Sequence, residues 1–120
     1  MVEHVAQKNV EKTLRGIHRV LKEKGKFYVS VPDMDILCKL YLDPKLRLKD
    51  KIEVMRMIYG GQIDEFDFHY FGWDMSIIDH FFKDVGFEKI ERVKSFSLFN
   101  DTSEYNFHGV PVSLNVIAYK

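Results

Sequence analysis

The sequence predicts a small α/β domain of incomplete architecture, a mixed sheet of about three strands with helices on its faces. Three observations lead there. Segments with helical periodicity and runs rich in β-branched residues follow one another as helix, strand, helices, helix, strand, strand. Gly, Pro and capping residues punctuate those segments where boundaries are needed. The 120 residues, 46% hydrophobic and 30% charged, fit one globular domain with an ordinary core.

The first element is a helix over about 6–23. Val10, Leu14, Ile17 and Leu21 form one apolar stripe, with charge around the rest. Gly25 is the expected stop, because glycine takes the left-handed conformation without a Cβ penalty. Residues 26–31, Lys-Phe-Tyr-Val-Ser-Val, then read as a strand ended by Pro32. Asp33 is placed to cap a short helix through Leu42, which Asp43-Pro44 closes. A third helix over about 46–59 sets Ile52, Met55 and Ile58 or Tyr59 on one face, and Gly60-Gly61 breaks it.

Residues 62–73 are irregular and aromatic, with Phe66, Phe68, Tyr70, Phe71 and Trp73. Asp74 is the expected N-cap of a helix to about Val85, with Trp73 and Ile77 or Ile78 as its hydrophobic staple and Gly86 after it. Two strands close the chain, over about 87–99 and 112–119. In the last, Val112, Leu114, Val116 and Ala118 alternate with Ser113, Asn115, Ile117 and Tyr119. The connection 100–111 is long for a hairpin. Three strands make a thin sheet, and the first would want a parallel neighbour from upstream.

Composition excludes several classes of function. Eighteen basic and eighteen acidic side chains give a net charge of +0, so nothing recruits nucleic acid or an anionic membrane. No apolar run reaches the length of a membrane span, and residues 1–10 do not read as a signal peptide. Cys38 is the only cysteine, which excludes an internal disulfide and suits the cytoplasm. Its apolar helical setting predicts a packed thiol. The five histidines contain no short ligand pair, so no metal site is expected.

Four motifs resemble the second half of a class I S-adenosylmethionine-dependent methyltransferase. They are Glu3-His4; Arg19-Val20-Leu21-Lys22-Glu23-Lys24-Gly25 leading into Phe27-Tyr28-Val29; Phe81-Phe82-Lys83-Asp84-Val85-Gly86-Phe87; and Ser113-Leu114-Asn115-Val116-Ile117-Ala118. Glu23-Lys24 stands where Pro-Gly is usual in that family. The resemblance implies a Rossmann-like fold whose last two strands pair antiparallel. It also implies that the chain corresponds to the C-terminal part, with strands one to three and most of the fourth absent. The family holds S-adenosylmethionine with a glycine-rich loop after its first strand and an acidic residue ending its second. None of the seven glycines forms a Gly-x-Gly between a strand and a helix, so no cofactor is expected for this chain alone.

The resemblance places His4 at the end of the fourth strand, facing cofactor and substrate; fraying of a chain-terminal residue is the plainer alternative. Asp33 follows a strand at the carboxyl edge where open α/β sheets bind ligands, or it simply caps the next helix. Gln62, His69 and Tyr70, with Asp64 and Asp67, offer hydrogen-bonding groups among aromatics and could line a substrate pocket, with His69 as general base. The opposing expectation is that Phe66, Phe68 and Tyr70 plug the core while Asp67 and His69 are solvated. His4 and His69 are thus the catalytic candidates, and Asp33, Gln62, His69 and Tyr70 the substrate-binding ones. His18, Arg19, His80 and His108 carry no assigned role.

Two functions remain: a partial methyltransferase domain inactive alone, or a binding module. In the second, the bare edge of the first strand pairs with another copy, giving a homodimer, or with a partner chain.

Overall fold

A computed structural model of the chain describes residues 2–96 and 106–120. Two 3₁₀ turns, Val2–His4 and Gln7–Asn9, lead into helix α1 (Val10–Val20). Strand β1 (Lys26–Pro32) and helices α2 (Met34–Tyr41), α3 (Leu48–Tyr59) and α4 (Met75–Asp84) follow. Strand β2 (Lys89–Val93), a two-residue pair β3 (Asn106–Phe107) and β4 (Val110–Pro111), and strand β5 (Ser113–Tyr119) complete the order.

The main sheet has three strands in the order β1-β5-β2. β5 pairs antiparallel with both neighbours, Val29 opposite Val116 on one side and Ile90 opposite Ala118 on the other. The sheet is therefore antiparallel throughout its described strands, where a mixed one was expected. Parallel contact is confined to one bridge between Asp33 and Trp73. The antiparallel pairing of the last two long strands agrees with expectation.

The physical reason for the arrangement is the alternation in β5. Leu114, Val116 and Ala118 are fully buried against Val29 and Val31 of β1, Leu14 of α1, and Ile78 and Phe82 of α4. On the other face Asn115 accepts a hydrogen bond from the Ser30 hydroxyl (2.8 Å) and donates to the Lys94 carbonyl (2.7 Å). Those bonds satisfy a buried amide that would otherwise cost about 1–3 kcal/mol. A second cluster, Leu37, Val54, Phe107 and Val112, joins α2 and α3 to the β3–β4 pair.

Local chemistry sets most boundaries. Asp33 accepts from the Asp35 amide at the start of α2 (3.1 Å), and Asp74 from the Ile77 amide at the start of α4 (2.8 Å). Helix α1 is shorter than its apolar pattern suggested, because its first turn is 3₁₀ and Leu21 is already extended. The left-handed residue after α1 is Lys24 (φ 63°), not Gly25. Gly25 is instead needed for space, since a Cβ there would lie 2.7 Å from the Lys22 carbonyl oxygen. His108 and Gly109 both have positive φ (49° and 82°), the signature of a type I′ turn, and they fold part of the long connection into the β3–β4 hairpin. The expected strand over 87–99 is β2 alone among described residues; 97–99 lie outside them.

Cys38 is exposed on α2 and is not a packed thiol. The helix turns Leu37 into the second cluster and Cys38 away from it. No helix of the described residues is long and apolar enough to cross a membrane.

Candidate functional site

The two catalytic candidates, His4 and His69, meet in space. His4 and His69 stand edge to face, with ring centroids 4.9 Å apart and planes at 75°. Helix α3 and the loop after it bring this about. Gly60 has φ +88°, and a Cβ there would fall 2.2 Å from the Asp67 carbonyl oxygen and 3.0 Å from the His69 amide nitrogen. Only glycine lets the chain turn back so closely. The His69 amide then donates to the Tyr59 carbonyl (2.9 Å), locking the returning strand to the end of α3. The Tyr70 amide donates to the Glu3 carbonyl (2.8 Å), fixing the N-terminal turn against the same segment. His4 is thus tied to this segment through its neighbour's backbone and its own ring.

Each imidazole is oriented by a backbone carbonyl. His4 Nδ1 lies 2.9 Å from the Phe68 oxygen, and His69 Nδ1 lies 2.9 Å from the Met57 oxygen. A carbonyl only accepts, so both Nδ1 atoms carry the proton and each neutral ring keeps its lone pair on Nε2. His4 Nε2 is 3.4 Å from the carboxylate of Glu3, which is buried. His69 borders a cleft of about 380 Å³ with Glu53, Arg56, Met57, Gly60, Gly61 and Ile63. An imidazole with a fixed tautomer and an open Nε2 beside a cleft can accept a proton from a bound hydroxyl or amine.

The remaining candidates divide. Tyr70 is half exposed and stacks on Phe68 at 6.1 Å, near the pair but open to solvent. Gln62 is exposed, with its amide donating to the Tyr59 carbonyl at 3.4 Å. Asp64 and Asp67 build the turn itself, Asp64 accepting from the Phe66 amide and Asp67 from the Ile63 amide. Phe66 and Tyr70 are 77% and 49% exposed, so these two do not plug the core as one expectation had it. The core is filled instead by Trp73, which contacts Phe71, Phe81 and Phe82.

Asp33 belongs to a different arrangement. It is 2% exposed, caps α2, and accepts a 2.9 Å hydrogen bond from Arg92 of β2. Sequence reasoning missed Arg92, which nothing local marks. His108 pairs with Asp50 of α3 at 3.2 Å, and that bond holds the Asp50 carboxyl below its ordinary range. His18 packs edge-on against Phe87. Among the described residues no three His, Cys, Asp or Glu side chains converge as metal ligands would.

No family model matches the chain, and no curated protein matches it. Among solved structures it is similar to a candidate O-methyltransferase from Nostoc punctiforme PCC 73102, with 15% identity and a TM-score of 0.54. The match covers 100% of this chain and 29% of that one. The fold is methyltransferase-like, and the chain spans less than a third of the length of that neighbour.

Proposed function

We propose that the chain is the C-terminal portion of an S-adenosylmethionine-dependent methyltransferase domain and neither holds the cofactor nor transfers a methyl group unaided. The observation that carries this reading is the use of Asp33. It is the acidic residue that follows β1, at the carboxyl edge where open α/β sheets bind ligands. Its oxygens are spent on the α2 cap and on Arg92, and it is buried from any ligand. With that carboxylate engaged and no Gly-x-Gly turn between a strand and a helix, the residues present do not fit the cofactor, and no step is derived through it. The chain's own contribution is on the acceptor side: His69 Nε2 takes the proton of an acceptor hydroxyl or amine in the cleft beside it, with His4 packed against its ring. The neighbour's name, an O-methyltransferase, favours a hydroxyl. Isothermal calorimetry with S-adenosylmethionine and its demethylated product tests this. A folded chain giving no heat is expected; saturable binding at one site per chain would overturn it.

A second reading rests on the sheet edge. Among the described residues β5 is the one strand laddered to β1, so the other edge of β1 carries no strand partner. An open edge is a template for strand addition. Self-pairing of β1, or pairing with a partner chain that supplies the rest of the domain, would cover it. Sedimentation should show a dimer at high micromolar concentration that dissociates on dilution; a monomer throughout would remove the self-pairing form.

A further inference from the structure

Helix α3 has two apolar faces, and only one is used by the fold. Val54 is fully buried, and with Met57 and Ile58 it packs on Leu37, Phe107 and Val112. Leu48, Ile52, Met55 and Tyr59 point outward, 73%, 45%, 36% and 57% exposed. Their spacing of four, three and four is that of a helix–helix seam, and at about 100° per residue they fall within an arc of about 60°.

Cations border that seam on both sides. By the same helical geometry Lys49 and Arg56 flank it on the solvent side and Lys51 on the core side, while Glu53 lies beyond the cations. Lys51 Nζ sits 4.6 Å from the Tyr41 ring centroid. None of the three cations is in an ion pair among the described residues. We propose that this face of α3 docks an amphipathic helix of a partner chain, one with a Leu/Ile seam and acidic flanking positions. A second copy of α3 fits poorly, because it would set Lys49 and Arg56 against like charges. A lipid surface fits poorly too, because interfacial helices immerse a broad apolar face, whereas this stripe is the narrow kind used between helices. Met55 adds an adaptable contact at the centre of the seam. This surface adjoins the acceptor cleft, which Arg56 also lines, but does not rest on the cofactor reading above.

The test uses two fluorescein-labelled three-heptad peptides with the same Leu/Ile seam, one with Glu and one with Lys at the flanking positions, and vesicles of phosphatidylserine and phosphatidylcholine. The Glu peptide should bind saturably and the Lys peptide should not. Ile52→Asn with Met55→Gln should weaken binding about tenfold or more, with an unchanged thermal melt, because both side chains are exposed. Lys49→Glu with Arg56→Glu should transfer preference to the Lys peptide, a readout that general stickiness would not give. Equal binding of both peptides, binding of neither, co-sedimentation with the vesicles, or self-association abolished by the Ile52/Met55 variant would each overturn the proposal.

Discussion

Removing the Asp33 carboxylate should unfold the chain more readily. A ligand-binding carboxylate with no structural duty would cost little or nothing to replace. Asp33→Ala deletes the N-cap of α2, worth about 1 kcal/mol. It also deletes a charge-assisted hydrogen bond to Arg92, worth about 1.5–3 kcal/mol when one partner is buried. Because the Arg92 side chain is 49% exposed, the lower half of that range applies, and the sum is about 2.5–3 kcal/mol. Asp33→Asn keeps an acceptor for the Asp35 amide and loses only the ion pair, about 1.5 kcal/mol. Arg92→Ala leaves a buried carboxylate with its cap bond alone and should cost about 2 kcal/mol. With a urea dependence of about 1–3 kcal/mol per molar, Asp33→Ala should lower the unfolding midpoint by roughly 1–3 M. The Asp33/Arg92 double mutant should fall short of the summed single costs by about 1 kcal/mol or more. Urea melts followed by circular dichroism give all four values. An Asp33→Ala variant within about 0.5 kcal/mol of the parent, or additive single costs, would refute the structural assignment of Asp33.

Three further outcomes are expected. Gly60→Ala, forced into φ +88° with its Cβ 2.2 Å from the Asp67 carbonyl, should cost about 2–3 kcal/mol and open the 60–69 turn to protease, read by melts and limited proteolysis. Hydrogen bonds from the Ser76 hydroxyl and then the Ile77 amide hold the Asp74 carboxyl below its ordinary 3.8. Its folded value is depressed, so its contribution is present above pH 3.8 and lost as pH falls through the lower folded value. Asp74→Ala should therefore cost about 1 kcal/mol at neutral pH, with the gap to the parent closing only in acid, as paired melts over pH would show. Cys38 should react stoichiometrically with a thiol reagent in the native state, at a rate that denaturant raises little.

Features set by local chemistry were legible. Asp33 and Asp74 cap α2 and α4 because a short carboxylate reaches amides two or three residues on, a relation contained in four consecutive letters. One buried face of β5 follows from the spacing of Leu114, Val116 and Ala118, although Asn115 on the other face is buried too. Long-range relations were not legible. His4 is a candidate through the resemblance and His69 by residue type, yet their meeting depends on Gly60 and on the Glu3–Tyr70 backbone bond. Arg92 reaches Asp33 across 59 residues from a strand whose own pattern says nothing of it. Periodicity shows that α3 has an apolar stripe, but Ile52, Met55 and Tyr59 face outward while Val54 turns to the core, and only tertiary packing decides that. The His108-Gly109 hairpin was hidden in a connection read as one long loop.

The most direct test of the central claim is a pair of ¹H–¹⁵N spectra of the labelled chain, before and after excess S-adenosylhomocysteine. The account predicts a dispersed, folded spectrum whose Asp33, Met34 and His69 amides do not move. Progressive, saturable shifts at those amides would show that this chain builds a cofactor site of its own and would contradict the account.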